Sequence, residues 1–310
     1  MKNIIEFLDK TRNILSSKIE FPAESFLGFD IAEPANNIYA VDGGSCIIVD
    51  GGNWLIAKLR IGHVKYHKKE RTEKQQNDFN LGIVKSKENV KFDLSPKFDW
   101  AQFTIPNTKL DEMPNVIRSI LEWNHTKKLV EQMSPGDIML VDGSFVAFNS
   151  FHKKIISDTL ELCKNRGVHI IGVCKTCRLE KEEKPLIGCL CKHDKQNSLK
   201  QWLYSEGETD VVKFHEKSKF CYRIQFDREY PTSEKLVLLG KIAYYCRDPE
   251  LLGYPYPLLS IDKIARIRDN EKDLTKHKVK ALAKKLGKDF IEDDEKSTIM
   301  HDLLDERAYR

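Results

Sequence analysis

The sequence predicts an α/β fold in which a mixed β-sheet is flanked by helices. Apolar segments of strand length, such as residues 138–141 and 168–173, are separated by segments whose apolar residues recur at helical spacing. Acids stand at the ends of several apolar segments, and the order hairpin, helix, strand, helix, strand suits a sheet with helices packed on it. The 310 residues, 41% hydrophobic and 32% charged, supply enough apolar side chains for a substantial core.

The N-terminal part of the chain is predicted to contain a helix over residues 1–20 and an irregular lead-in up to residue 37. An apolar strand follows and ends at Asp42, where two glycines predict a turn into a second strand. Another turn at residues 50–53 leads to a partner strand over residues 54–62. Its apolar residues alternate only partly, as expected for a sheet that is covered on both faces.

The middle of the chain is more polar before it becomes regular. Residues 64–84 are crowded with Lys, Glu, Arg, Gln and Asn, so we predict a solvated loop there, and residues 85–110 predict a strand and an irregular segment. Two acids and Pro114 suit the start of the next helix. The remaining predicted elements are a helix over 111–133, a strand over 138–141, a helix over 151–166 capped by Gly167, a strand over 168–173, strands over 211–214 and 220–226, a helix over 234–245, a turn and helix within 253–268, and a charged helical extension over 269–310.

Composition and charge exclude some classes of protein. No stretch of apolar sequence is long enough to cross a bilayer. The first six residues include an acid and are not followed by a small-residue cleavage site, so we expect no secretory signal and a cytoplasmic location. The 51 basic and 47 acidic residues give a net charge of +4, which does not by itself indicate a nucleic-acid partner. A local basic face would still permit one, because phosphate affinity depends on clustered charge.

A repeated phrase is the main indication of function. An apolar strand leads into Val-Asp-Gly at Asp42, and the same phrase recurs at Asp142. Two strands that each end in an aspartate could deliver both carboxylates to one place, where they would face a metal ion or a phosphate. The alternative is two ordinary β-turns with solvated aspartates.

A third carboxylate lies on the helix between the two phrases. Glu122 follows Arg118 by four residues, on a turn with apolar neighbours. Several converging carboxylates can hold one or two divalent ions for phosphodiester hydrolysis, and a set made only of oxygens suits Mg²⁺ or Mn²⁺ rather than Zn²⁺. The alternative is a surface Arg–Glu pair that stabilises the helix by a few tenths of a kcal/mol.

Five phrases in order resemble the NurA nuclease family, the partner of the HerA translocase in DNA-end processing. They are Val-Asp-Gly-Gly-Ser at residues 41–45, Arg-x-x-x-Glu at 118–122, Val-Asp-Gly-Ser at 141–144, Gly-Val-Cys-Lys-Thr at 172–176 and Gly-Tyr-Pro-Tyr-Pro-Leu at 253–258. The resemblance covers residues 38–268. It implies an RNase H-like nuclease domain over 38–268, which leaves the predicted N-terminal helix and lead-in over 1–37 and the charged helical C-terminal extension over 269–310 outside it.

The resemblance also implies an activity and partners. It implies a manganese- or magnesium-dependent nuclease, with two ions in the site, that acts on DNA ends and single strands. It further implies a homodimer that sits on a hexameric HerA-type ATPase, in DNA repair or anti-phage defence. By position, Asp42, Glu122 and Asp142 are the expected metal ligands, and Asp262 is the expected fourth. The family often has a histidine at this fourth position, so Asp262 departs from its pattern.

Four more residues are candidates for substrate binding or catalysis. Lys175 closes the strand over 168–173, where its ammonium group could meet the scissile phosphate, and Arg118 could orient Glu122 or bind phosphate. Tyr254 and Tyr256 could stack bases of a single strand. The alternatives are a solvated lysine, a helix ion pair and tyrosines that pack a turn.

The eight cysteines offer another interpretation, although reduced thiols are the simplest expectation for a chain without a signal peptide. Cys174, Cys177, Cys189, Cys191 and His193 have spacings compatible with a zinc site, which would indicate a zinc-stabilised nucleic-acid-binding module. Cys174 and Cys177 flank Lys175 within a phrase of the resemblance, so we expect no zinc. The second alternative function is a catalytically silent assembly subunit of a translocase complex, against which the intact set of acids argues.

Overall fold

The computed structural model describes residues 4–6, 19–86, 89–96, 109–194, 199–288, 291 and 294–295. The strands in these residues are β1 Phe26–Gly28, β2 Ile38–Asp50, β3 Trp54–His67, β4 Glu70–Ser86, β5 Asn89–Ser95, β6 Ile138–Asp142, β7 His169–Cys174, β8 Glu180–Lys181, β9 Lys184–Pro185, β10 Trp202–Glu206, β11 Thr209–Lys213 and β12 Tyr222–Phe226. The α-helices are α1 Met113–Val130, α2 Ser150–Arg166, α3 Leu186–Asp194, α4 Thr232–Ala243, α5 Tyr256–Ala265 and α6 Asp269–Lys285. Short 3₁₀ helices cover Ala23–Ser25 and Leu110–Glu112.

Ten of the strands form one sheet, in the order β1-β10-β11-β12-β7-β6-β2-β3-β4-β5. The pairs from β1 to β7 and from β2 to β5 are antiparallel. β6 and β7 run in the same direction, because the His169 amide donates to the Asp137 carbonyl at their start and the Gly143 amide donates to the Val173 carbonyl at their end. The sheet is therefore mixed, and the predicted α/β class is confirmed.

The density of contacts divides the described residues into two compact units. The first consists of those within 1–35, 141–144 and 171–256, and the second of those within 36–140, 145–170 and 257–310. Each unit has its own core. In the first unit, Trp202, Tyr204 and Val211 of the sheet pack with Leu186 and Leu190 of α3. The sequence-based boundaries at residues 37 and 268 remain a prediction.

The second unit packs α1 against β3 and β4. Apolar residues of the helix, of these two strands and of β5 form one buried cluster: Leu55, Ala57, Leu59, Ile61, Leu81, Ile83, Leu94, Met113, Ile117 and Leu121. The cluster fixes which side of α1 faces the sheet. A second small cluster joins Ile48 and Val49 of β2 to Ala283 of α6 and to Ile291.

A buried arginine also connects α6 to the sheet. The Arg60 side chain is 8% exposed, and its Nε donates to Asp78 Oδ1 at 2.6 Å while its Nη2 donates to Glu271 Oε2 at 2.8 Å. These partners raise the pKa of the Arg60 guanidinium above its ordinary value, and Arg60 in turn lowers the pKa of Asp78. The guanidinium therefore holds β4 and the start of α6 together.

The prediction of a solvated loop over residues 64–84 is wrong. β3 continues to His67 and β4 covers Glu70–Ser86, and the two strands pair along their whole length. The first residues of β4 are exposed and polar, so their sequence lacks the apolar alternation that indicates a strand. Their backbone groups pair with β3, whose side chains in this stretch are largely buried. Backbone pairing, rather than burial, makes this segment a strand.

The predicted turn after Asp42 is also wrong. Gly43, Gly44 and Ser45 continue β2 and pair with Ile61, Arg60 and Leu59 of β3. The glycines serve a different purpose, which becomes clear from the helices next to them.

The predicted helices agree better with the structure. α1 has a proline in its first turn, and Gly167 ends α2 with the left-handed φ of 67° that favours glycine. The helix predicted over residues 1–20 lies largely outside the described residues. Within that range the structure describes residues 4–6, which are helical, and residues 19–20. No helix in the described part of the chain has the length and apolar character needed to cross a membrane.

Candidate active site

The two glycines after Asp42 let helices approach β2 closely. A β-carbon at Gly43 would clash with the Glu122 carboxylate and lie 2.8 Å from Ile61 Cδ1. A β-carbon at Gly44 would clash with the carbonyl of Ala265, at the end of α5. Consecutive strand residues point to opposite faces of a sheet, so α1 lies on one face of β2 and α5 on the other.

Asp42 and Asp262 are brought together in the second unit. Asp42 shares a face of β2 with Gly44, the face on which α5 ends. Each of the two aspartates can offer a carboxylate oxygen within 4.8 Å of the other, a spacing at which one metal ion could be held. Asp42 Oδ1 also accepts the Gly43 amide at 2.7 Å, and Asp262 Oδ2 pairs with Arg266 at 3.2 Å.

The packing of α5 positions Asp262. Its buried residues Leu258, Ile261 and Ala265 face the core, and Ile261 Cδ1 would lie 3.1 Å from a β-carbon at Gly62 of β3. The side chain of Asp262 is 27% exposed. The helix is thus anchored by its apolar face while the carboxylate remains open to solvent.

Glu122 has a different environment. Its carboxylate forms an ion pair with Nη1 of Arg118, and the same nitrogen donates to the Gly43 carbonyl at 3.2 Å. Arg118 also binds Asn115 Oδ1 through Nε at 3.0 Å. Glu122 therefore lies beside Gly43, one residue along the strand from Asp42, and its partner is the arginine four residues earlier. Among the described residues, Glu122 does not join Asp42 and Asp262 in a set of converging ligand atoms.

In the first unit, Asp142 and Lys175 form an ion pair. Lys175 Nζ lies 2.8 Å from Asp142 Oδ2, and the side chains are 37% and 24% exposed, respectively. β6 ends at Asp142 and β7 ends one residue before Lys175, so parallel strand ends bring the two together. Lys175 Nζ is also 5.6 Å from the centre of the Tyr254 ring, a distance typical of a cation–π contact.

The predicted role of Tyr254 in base stacking does not fit its burial. Tyr254 is 2% exposed and its ring lies 5.4 Å from that of Tyr222, so neither face is open to a nucleobase. Its ring packs the turn and supports Lys175, as the alternative interpretation has it. Tyr256 is half-buried at the start of α5, and its amide donates to the Tyr245 carbonyl at 3.0 Å.

The cysteines and the neighbouring histidine do not assemble as ligands. Within the part of the chain that the structure describes, Cys174, Cys177, Cys189, Cys191 and His193 form no set of converging ligand atoms. Cys191 Sγ instead lies 3.4 Å from Cys221 Sγ, and the His193 ring stacks on Phe26 at 4.9 Å.

One arrangement near the candidate site is absent from the sequence-based prediction. His63 is fully buried in β3, opposite Val41 of β2, with Nδ1 3.0 Å from His125 Nε2 and Nε2 3.0 Å from Glu73 Oε1. Burial, the charge of His63 and that of Lys128 lower the pKa of His125 to about 4. Sequence spacing gives no signal for this chain of side chains, because it joins residues of two strands and a helix.

The chemistry of the carboxylates is that of a site for a hard divalent cation. Carboxylate oxygens are the ligands that Mg²⁺ and Mn²⁺ prefer in proteins, whereas zinc sites use sulfur and imidazole nitrogen more often. Asp42 and Asp262 supply such oxygens from a strand and a helix that the apolar core holds in place.

Comparison with solved structures identifies the fold of this chain, whereas comparison of sequences finds no match. The chain matches no protein-family profile and no curated protein sequence. It is similar to the crystal structure of the NurA nuclease from Sulfolobus solfataricus, with a TM-score of 0.59 and 13% identity over 92% of this chain and 95% of that one. Human ENDOV (11% identity, 78% and 91% of the two chains) and the catalytic domain of human Endonuclease V (12%, 93% and 98%) align with TM-scores of 0.41. The chain therefore has a NurA-like fold, in agreement with the expected RNase H-like α/β class.

Proposed function

We propose that this protein is a nuclease that hydrolyses phosphodiester bonds of DNA with divalent metal ions. The observation that carries the proposal is the proximity of the Asp42 and Asp262 carboxylates within a NurA-like fold. Metal ions bound to such carboxylates would activate water and stabilise the developing charge on the phosphate oxygens. The oxygen-only ligand set favours Mn²⁺ or Mg²⁺ as the cofactor.

Asp142 is the proposed third ligand. Asp42 and Asp142 are each the fifth residue of their strands, β2 and β6 are neighbours in the sheet, and the Ile138 amide at the start of β6 donates to the Asn37 carbonyl just before β2. We propose that Asp142 holds a divalent ion together with Asp42 and Asp262, because carboxylate oxygens are the ligands that Mg²⁺ and Mn²⁺ prefer.

Glu122 and Lys175 complete the proposed machinery. The Glu122 carboxylate lies against Gly43, the residue that follows Asp42 in β2. It would bind a second ion once it releases Arg118. Arg118 would then contact the DNA phosphate. Lys175, held beside Asp142 and over Tyr254, would stabilise charge on the leaving oxygen. Tyr256 is proposed to contact the substrate next to α5.

The resemblance of the sequence phrases to NurA extends the proposal to partners. We propose that the protein forms a homodimer, acts on DNA ends and single strands, and works in the cytoplasm with a hexameric HerA-type ATPase in repair or anti-phage defence. Co-purification with such an ATPase, followed by measurement of the mass of the complex, tests this part separately from catalysis. An ATPase that stays unbound at micromolar concentrations would contradict the partnership.

Cleavage of end-labelled single- and double-stranded DNA tests the activity. The wild type is compared with Asp42→Asn, Asp142→Asn and Asp262→Asn in EDTA, Mg²⁺ and Mn²⁺. We expect cleavage only with metal, and a loss of about a hundredfold or more in each variant, because each substitution removes a charged ligand but conserves shape.

Asp50→Asn is the matched control. Asp50 is the last residue of β2 and also precedes two glycines. Its Oδ1 accepts the Gly52 amide at 2.8 Å and so caps a turn, which an asparagine oxygen can do equally well. Its activity should equal that of the wild type. Cleavage that survives the three aspartate substitutions would refute the site. A wild type that binds the ATPase but never cleaves DNA would instead favour the silent assembly subunit.

A further inference from the structure

The loop between Asp142 and α2 turns one aromatic side chain inward and another outward. The Phe145 ring packs edge-on against Trp123 of α1, with 5.4 Å between ring centres. Val146 is 63% exposed and Phe148 is 47% exposed. The inward ring anchors the loop to the second unit, and the outward ring is left in contact with solvent.

The Phe148 ring is held in place from one side. It lies parallel to the His152 imidazole, with 5.7 Å between ring centres and 9° between ring planes, and the Phe148 amide donates to His152 Nδ1 at 3.3 Å. His152 is fully buried, and its burial lowers its pKa to about 4, so the imidazole is neutral at neutral pH. A ring that is already ordered loses little conformational entropy when a ligand binds to it.

The helix that begins two residues after Phe148 carries two exposed lysines near its start. Lys153 and Lys154 are exposed in the first turns of α2, followed by exposed Ser157, and the first turn of the helix has no acidic residue. Lysines at a helix N-terminus add to the positive end of the helix dipole rather than offsetting it. This combination favours an anionic ligand beside an apolar, aromatic one, which is the chemistry of a nucleotide.

We propose that Phe148 is a stacking platform for an unpaired base of single-stranded DNA, with Lys153 and Lys154 on the neighbouring phosphates. The inference rests on the proposed nuclease function and names a subsite for its substrate. Phe148 follows Asp142 by six residues, which span at most about 20 Å, so the base would lie a short distance along the strand from the scissile phosphate. Bases within a duplex are stacked on each other and offer no free face, so the subsite selects single strands.

The affinity for single-stranded DNA is measured by fluorescence anisotropy of a 5′-fluorescein-labelled oligo-dT of 20 nucleotides. The buffer contains EDTA to prevent cleavage. Loss of a base–aromatic contact weakens binding roughly five- to hundredfold, so we expect that for Phe148→Leu, which keeps an apolar side chain but no aromatic face. Phe148→Trp should bind as tightly as the wild type or more tightly. Phe220→Ala is the matched control, because Phe220 is 56% exposed but lies elsewhere, and it should not change the affinity.

The two lysines are tested through salt dependence. Replacing Lys153 and Lys154 by Gln should lower the slope of log affinity against log salt concentration by about 0.7 for each lost phosphate contact. Binding by Phe148→Leu as tight as that of the wild type, or no binding of oligo-dT by the wild type, would overturn the proposal.

The outcomes separate the subsite from the activity. A wild type that cleaves DNA, combined with unchanged affinity in Phe148→Leu, would leave the nuclease function standing and remove the subsite. A wild type that does not cleave DNA, but whose binding of oligo-dT depends on Phe148, would keep the subsite and remove the nuclease function.

Discussion

The two Val-Asp-Gly segments have the same residues but different structures. At Asp42 the chain continues as a strand, and the glycines that follow lie beneath α1 and α5. At Asp142 the strand ends, Gly143 adopts a φ of 102°, and no atom lies within 4 Å of where its β-carbon would be. Glycine after an acid can therefore mean close packing in one place and a left-handed backbone in another.

The difference matters for how each aspartate is held. Asp42 is fixed by packing, because the sheet and two helices surround its strand. Asp142 is fixed by an ion pair with Lys175 and by the hydrogen bond from the Gly143 amide to the Val173 carbonyl at 3.0 Å. Substitutions at the two segments should consequently differ in the size and the kind of their effects.

The largest effect is expected for Gly44→Ala. The new methyl group would clash with the Ala265 carbonyl and lie 3.1 Å from its carbon, both backbone atoms that cannot rotate away. We expect a loss of about 3 kcal/mol in the free energy of unfolding, measured by urea denaturation, together with weaker Mn²⁺ binding because α5 carries Asp262. Gly82→Ala is the control, since Gly82 lies in β4 with no atom within 4 Å of its β-carbon position. Equal stability of the two variants would contradict the role of Gly44.

A smaller effect is expected for Gly143→Ala. There is space for the methyl group, but the left-handed φ of 102° is strained for alanine, so the cost is that of the backbone, about 1–2 kcal/mol. The same denaturation experiment measures it. Gly143→Asn should recover part of the loss, because asparagine tolerates left-handed conformations better than alanine. A loss as large as that of Gly44→Ala would mean that neighbouring atoms, and not only the left-handed backbone, require glycine at position 143.

The smallest effect, for each unit of pH, concerns the histidine chain beside the first segment. The pKa of His125 is about 4 in the folded protein and 6.5 in an ordinary environment, so the unfolded chain takes up the proton first as the pH falls. Stability is therefore fully present above pH 6.5 and decreases between pH 6.5 and 4. One such histidine contributes at most about 1.4 kcal/mol per pH unit, and partial exposure makes about half of that our expectation.

Comparing His125→Gln with the wild type over this pH range isolates the contribution, because His152 has a similarly lowered pKa and remains in both proteins. The groups around His125 are His63, which contacts Glu73, and Lys128. We expect a shallower pH dependence in the variant. His277→Gln, on the exposed side of α6, is the control. Parallel curves for His125→Gln and the wild type would rule out this titration.

Local signals predicted the regular elements well. The early proline of α1, Gly167 after α2 and the apolar runs of β6 and β7 each act within a few residues, and the structure confirms these elements. The polar half of β4 could not be predicted in the same way. Its strand conformation comes from pairing with β3, and its exposed side chains carry no apolar alternation.

The residues of the candidate site stay a prediction, and the sequence alone gives little of their geometry. The first phrase contains Asp42, and the position after the last phrase indicated Asp262, yet only the packing of α5 on β2 brings together residues so far apart in sequence. Burial keeps the Tyr254 ring away from a nucleobase, and the ion pair with Arg118 holds the Glu122 carboxylate where it lies. Neither could be chosen from the sequence, because the functional and the structural roles require the same residue types.

The guanidinium of Arg60 has a consequence for how far the chain can be shortened. A chain that stopped at residue 268, where the resemblance to the NurA family ends, would lose Glu271 and leave a buried cation with Asp78 and Arg266 as its remaining partners. It would also uncover Ile48 and Val49 of β2, which Ala283 covers. We therefore expect a chain that ends at residue 268 to be less stable than one that continues through α6.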